Sequence, residues 1–383
     1  MRYPLTPCRG AQGLAEPADT VSVRLRPALA LAAALIAALT LAPAAGAAPV
    51  PHDFIGISAE DVFVGNAAYR DQNLQAQSSI GIGLIRQNFD WATIETAPGQ
   101  SDLRYHDEFV AAAASKGITI LPILFHTPEF HLGRRDGASA CPPRDNASLA
   151  AYAQALVRRY GSNGTLWAER PDLPRVPIRS WQIWNEPNLG VYWCNRPNPR
   201  EYASMLRVVG KAVKSEDPLA KLVTAGLPDS KLKSAMPLDK FISGLYKARG
   251  KRNFDTLAIN GYATGNAQLS QLLYRVRRWM DRKHDRRAGI WITEIGWGDR
   301  GPKHRFIVGA RGQATRIGGA LTLIRKKQRA LRLRGVVYFS WRDGAPYAPK
   351  FNDMWGLHTG LLDINGQPKP AYAAFGNRMK LFR

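Results

Sequence analysis

Short apolar runs alternate with longer amphipathic stretches from Phe54 to the end of the chain. This is the pattern of parallel strands joined by helices. The first strand is expected over Phe54 to Ser58, with its helix over Asn66 to Ser79, and the second over Gly83 to Asn88. A helix with an alanine-rich face follows from Tyr105 to Lys116, closed by Gly117. Ile118 to Phe125 is continuously apolar, as a strand buried on both faces must be. Asn146 to Tyr160 carries apolar residues at helical spacing, and Ile178 to Trp184 reads as strand four. The alternation continues with helix Pro199 to Ser215, strand Lys221 to Gly226, helix Asp239 to Ala248, strand Phe254 to Tyr262 and helix Ala267 to His284. Strand seven lies within Gly289 to Gly298, helix Arg311 to Leu331 follows, and Val336 to Trp341 is strand eight, with Pro370 to Met379 as the closing helix. Eight strands with their helices predict an α/β fold, a single (β/α)8 TIM barrel.

Two of these strands end on a glutamate. The run to Trp184 stops at Asn185-Glu186-Pro187, where proline cannot donate a ladder hydrogen bond, and Glu294 stands late in strand seven before Gly296 and Gly298. In a parallel barrel both carboxyls project into the mouth at the carboxyl face, and paired carboxylates there point to glycoside hydrolysis. A glutamate ending one strand is usually a solvated loop residue; the conjunction carries the catalytic reading. Asn185 adds a neutral donor, and Trp184, Trp291, Trp297 and Trp341 fall at predicted strand ends, where ring faces can stack on sugars. His126, His131 and His358 share the same loops without metal-ligand spacing, so substrate contact is expected of His126 and neither a metal nor a cofactor is expected.

Arg24 and Arg26 precede an apolar run from Ala28 to Leu41, and Ala45-Gly46-Ala47 offers a cleavage site, so residues 1–47 read as a secretory signal peptide. The proline- and glycine-rich stretch before them places the expected true start nearer Val21 or Val23. The barrel then occupies residues 48–383, with elongated loops at the carboxyl face. The product is expected outside the cell or in its envelope, as a monomer with no membrane contact beyond the leader. Cys141 and Cys194 remain after cleavage, one in each loop following strands three and four, and an oxidising compartment allows a bridge between them.

The chain carries a net charge of +23; without residues 1–47 it holds 49 basic and 28 acidic residues, or +21. Such charge attracts polyanions. The basic residues crowd into helices, from Arg275 to Arg287 and from Arg325 to Arg334, away from the glutamates, which reads as a solvated outer face. No nucleic-acid-binding signature accompanies them, and nucleic acid is not an expected partner. Arg134 and Arg135, in the long loop after strand three, could meet a carboxylated sugar.

With Glu186 and Glu294 on strands four and seven, Trp184-Asn185-Glu186-Pro187 and Thr293-Glu294-Ile295-Gly296-Trp297 resemble the clan A retaining glycoside hydrolases. Arg86 to Pro98, Ile118 to Pro128, Gly360 to Asp363 and Lys369 to Tyr372 look most like family 39 and bacterial family 5. The resemblance implies Glu186 as general acid/base, Glu294 as nucleophile and Asn185 on a sugar hydroxyl. It further implies that Arg86 and Tyr262 hold the nucleophile and that Trp341 is the platform beneath the reacting sugar. Many relatives have His-Pro-Tyr where this chain has Asn260-Gly261-Tyr262, which puts the contact from position 260 in doubt. The implied partner is a carbohydrate polymer or oligosaccharide, with an anionic one among the candidates. The rival function is a catalytically silent barrel that holds a cell-wall polysaccharide by aromatics and charge.

Overall fold

The computed structural model describes residues 50–133, 140–194, 196–345 and 355–383. The expected leader and the pair Arg134 and Arg135 lie outside the described residues. Pro49–Arg383 forms one compact unit.

Eight strands, β1 (Ile55–Ser58), β2 (Leu84–Asp90), β3 (Thr119–Phe125), β4 (Ser180–Ile183), β5 (Lys221–Thr224), β6 (Thr256–Asn260), β7 (Gly289–Ile295) and β8 (Leu333–Phe339), pair in parallel, each with its neighbour in sequence. β8 returns to β1, with Ile55 opposite Val336 and Ser58 opposite Phe339, so the sheet closes. A helix follows each strand: α1 (Ala67–Ser79), α2 (Arg104–Ser115), α3 (Asn146–Tyr160), α4 (Pro199–Glu216), α5 (Leu238–Lys247), α6 (Asn266–Arg282), α7 (Gly309–Leu331) and α8 (Pro370–Met379). The expected (β/α)8 barrel is the observed fold. No helix among the described residues is long and apolar enough to cross a membrane.

Local chemistry explains the boundaries. Asn66 is the cap of α1, accepting from the Tyr69 amide at 2.9 Å, and Gly117 after α2 takes the left-handed φ of +70° that favours glycine. β4 is shorter than its apolar run because Trp184 turns left-handed, with φ of 70°, before Pro187 is reached. β8 ends at Phe339, so Trp341 lies beyond the strand rather than at its tip. Gly319 in α7 answers to packing: a β-carbon there would lie 1.9 Å from the Asn266 side chain at the start of α6.

Inside the barrel Leu84, Leu121, Val223, Ala258, Trp291 and Val337 form a small buried cluster beneath the mouth. Trp291 is therefore interior packing, three residues short of Glu294, and not the sugar platform expected of it. Cys141 and Cys194 are joined by a disulfide with Cα atoms 5.1 Å apart, and the buried Thr127 hydroxyl donates to the Cys141 carbonyl at 2.7 Å. The bridge spans 53 residues and ties the loop after β3 to the loop after β4. For a closed loop of that length the chain-entropy argument sets an upper contribution of about 4 kcal/mol. The chain from residue 48 onward, denatured without reductant, should titrate no thiol and then two after reduction. Cys141→Ser should lower stability by about 2–4 kcal/mol in denaturant titration.

Candidate active site

Arg86 is the buried charge at the centre of the mouth. From β2 its Nε donates to Gln182 Oε1 at 2.9 Å, one terminal nitrogen to Glu294 Oε1 at 2.8 Å and the other to Asn185 Oδ1 at 3.1 Å. Tyr262 donates its hydroxyl to the second oxygen of Glu294 at 2.6 Å. Glu294, its side chain 13% exposed, thus receives a cation on one oxygen and a phenol on the other. Burial, then the Glu294 charge, push the Tyr262 hydroxyl well above its ordinary value, so it stays a donor. The Arg86 bond also sets the Asn185 amide, with its carbonyl spent and its NH2 left for a ligand.

Glu294 owes its direction to an irregularity. Trp291 faces the barrel interior, so strict alternation would put Thr293 inside and Glu294 outside. Between Ile292 and Glu294 the register against β6 slips, pairing Ile292 with Ile259 but Glu294 with Asn260. Such a bulge re-aims a side chain, and here it brings Glu294 to Arg86 and Tyr262. Thr293 then donates to Asn260 Oδ1 at 3.0 Å, which holds the Asn260 amide so that its nitrogen donates to Glu186 Oε1 at 2.6 Å. The doubt over position 260 is resolved in geometry: asparagine reaches Glu186. Gln182 and Thr293 were missed as site residues. A polar residue inside an apolar strand was the signal for each.

Glu186 has a φ of 42°, so two of the three residues from Trp184 to Glu186 are left-handed, a strain of about 1–3 kcal/mol each for side chains other than glycine. The half-buried Glu186 carboxyl is pushed up to about 8, first by burial and then by the Glu294 charge, against the opposing pull of Asn260 and Arg86. The two glutamates therefore sit in opposite settings, one starved of donors and beside a negative charge, the other held by a guanidinium.

His126, also left-handed with φ of 63°, ends β3 with Nδ1 2.6 Å from Asp90 Oδ2 and its side chain 26% exposed at the mouth. The tryptophans differ from expectation. Trp184, Trp297 and Trp341 are fully buried, and their indole N–H groups donate to the Tyr192 carbonyl, the Ala263 carbonyl and Asn73 Oδ1. Trp184 packs edge-on against Phe125 and Trp193, and Trp341 against Tyr372, so none offers a free face to a sugar. An aromatic run at a strand end satisfies core packing as well as it satisfies stacking, and here packing took all three. The half-buried ring at the end of β8 is instead Phe339, two residues beyond the interior Val337, while Tyr338 between them faces α8. Alternation along the eighth strand would have singled it out.

Asp299, Asp343 and His358 place ligand atoms within 4.8 Å of one another. Lys369 fills the cation position itself, with Nζ 3.0 Å from Asp299 and 2.9 Å and 3.0 Å from the two oxygens of Asp343. An ammonium already pairs both carboxylates, so these residues are a buried ion-pair cluster rather than a fit for a metal.

No protein-family model matches the chain, and no curated protein is similar to it in sequence. Solved structures are. A family 39 glycoside hydrolase from the gut symbiont Bacteroides cellulosilyticus WH2 superposes with a TM-score of 0.61 at 20% identity, over 86% of this chain and 63% of that one. A monomeric β-xylosidase from Caulobacter crescentus CB15 gives 0.64 at 18% identity, over 88% and 69% of the two chains. A GH5_18 protein from Streptomyces cattleya in complex with Manβ1-4GlcNAc gives 0.63 at 16%, over 86% and 80%. At these identities the likeness is one of fold. The chain spans less than two thirds of the length of the family 39 protein.

The Glu186 shift has a consequence for stability. A carboxyl whose folded value is raised keeps its proton where the unfolded chain has lost it. Its contribution is therefore intact below the ordinary glutamate value of 4.5 and lost as pH rises through about 8. Glu186→Gln, which keeps the acceptor for Asn260 and cannot ionise, should match the native protein near pH 4.5. By pH 8.5 it should exceed it by on the order of 1–3 kcal/mol, read as a pH-dependent gap in unfolding midpoints.

Proposed function

We propose that this chain is an exported retaining glycoside hydrolase that cleaves an O-glycosidic bond in a poly- or oligosaccharide. The observation that carries the reading is the opposed environment of the two glutamates. Glu186, raised by burial and by Glu294, keeps a proton to give to the leaving oxygen. Glu294, held by Arg86 and Tyr262, presents a carboxylate oxygen to the anomeric carbon. In the first step the C–O bond to the leaving group breaks, the Glu186 proton passes to that oxygen, and a glycosyl ester forms on Glu294. Its negative charge is then consumed, and the second cause of the raised Glu186 value disappears with it. Glu186 can now take a proton from water, whose oxygen attacks the same carbon and frees Glu294. Asn185 would offer its NH2 to a sugar hydroxyl, while His126 and Phe339 line the same mouth.

The barrel neighbours described as a xylosidase and a family 39 hydrolase support a carbohydrate substrate, with an anionic polymer among the candidates. Export rests on the apolar run at Ala28 to Leu41 and agrees with the Cys141–Cys194 bridge, which an oxidising compartment maintains. We assign residues 1–47 to the leader, the rest to one catalytic domain, and a monomeric state. The rival reading is a silent barrel that holds polysaccharide by aromatics and charge; Trp184, Trp297 and Trp341 are buried, which removes the aromatic part of that surface.

Two experiments test the proposal on a substrate found with a panel of aryl glycosides and wall polysaccharides. Proton NMR in the first minutes of hydrolysis should record a first product with the anomeric configuration of the substrate; an inverted first product would end the pairing of Glu186 with Glu294. Glu186→Ala should lose at least a hundredfold in turnover and recover with azide on a substrate with a good leaving group, whereas Glu294→Ala should be inactive without an added nucleophile. Full activity in both variants would refute the catalytic assignment.

A further inference from the structure

The opposite end of the barrel carries a cationic cleft. The helices run antiparallel to the strands, so the last turns of α4 lie beside the loops that enter β6 and β7, at the face remote from Glu186 and Glu294. There Arg207, Lys211 and Lys214 of α4 face Arg252 and Arg287 across a cleft of about 440 Å³. Arg252 and Arg287 also line an adjoining cleft with Lys251, His284 and Asp285, so the two clefts share a cationic wall and are taken together as one groove.

Its charge is largely uncompensated. Asp255 pairs with Lys214 at 3.1 Å and lies 3.8 Å from Arg287, and Asp285 is buried and accepts from the Tyr246 hydroxyl at 2.8 Å. Among the described residues Arg207, Lys211 and Arg252, all exposed, have no carboxylate within ion-pair distance. An ordinary solvated face scatters its cations along a convex helix. Here three elements direct them into one concavity, where fields from like charges add.

We propose that this groove binds an anionic polysaccharide whose carboxylates sit along the chain, and so holds the protein on such a polymer while leaving the mouth open. The lining disfavours nucleic acid as the occupant. Phe254 in the groove wall is only 2% exposed, so among the described lining residues the His284 ring alone stands exposed, a single stacking surface where a bound strand uses several. The inference does not depend on the glycosidase reading, because binding is measured without turnover.

The probe is polygalacturonate at low ionic strength, with duplex DNA as the competing arm. Lys211→Gln, Arg252→Gln and Arg287→Gln combined should weaken polygalacturonate binding about tenfold or more. A control combining Arg278→Gln, Lys326→Gln and Arg329→Gln removes the same charge from the outer faces of α6 and α7 and should stay within about threefold. Unchanged unfolding midpoints in both variants show that each still folds. Equal weakening by the two variants would mean that net charge alone binds the polymer. Absence of native binding, or tighter binding of duplex DNA than of polygalacturonate, would equally overturn the proposal.

Discussion

A single guanidinium holds the mouth of this barrel together. Arg86 is buried on β2, and a charge removed from water must be paired or it destabilises the fold by several kcal/mol. Its partners come from β4, from the turn after β4 and from β7, so the charge is satisfied only when the barrel has closed and those elements stand at one height. That makes the pair a device of register as much as of charge. A slip of one residue in β7 would take Glu294 off the arginine and leave both uncompensated.

From that anchor the two glutamates acquire different characters. Glu294 lies between Arg86 and Tyr262, which donate to its two oxygens at 2.8 Å and 2.6 Å. Glu186 receives one donor, the Asn260 amide, and otherwise meets packed side chains and the field of Glu294, which together raise it. The Asn260 contact is kept in orientation by Thr293, the residue displaced by the bulge in β7. One irregularity therefore aims one carboxyl and steadies the donor to the other. The distribution of charge repeats the separation at larger scale, with Glu186 and Glu294 at the mouth and a largely uncompensated cationic groove at the opposite face.

The periphery is built for rigidity. Cys141 and Cys194 fasten two loops of the carboxyl face, and Lys369 pins the last part of the chain to Asp343 and Asp299 beneath the loops after β7 and β8. Lys369 directly precedes α8, which packs on the barrel through Phe375 against Tyr338. The motif Lys369 to Tyr372 thus serves the placement of the closing helix, while Trp341 becomes part of the same buried layer through Asn73 and Tyr372.

Local periodicity accounts for the order of strands and helices, the stop at Gly117, the two strands that lead to Glu186 and Glu294, and the two cysteines brought to neighbouring loops. These follow from spacing, because a strand repeats every two residues and a helix every 3.6. Tertiary structure alone decided which way the side chains at the strand ends turn. The left-handed Trp184, the bulge at Thr293 and the extension beyond β8 all break the period that sequence reading relies on. All four tryptophans read as stacking surfaces, Trp184, Trp291, Trp297 and Trp341, are buried, and Phe339, Asn260 and Gln182 took places at the mouth. The reason is physical: core packing and a sugar face both remove an aromatic ring from water, so residue type alone does not choose between them. Which contact forms is settled by the space left when eight strands close.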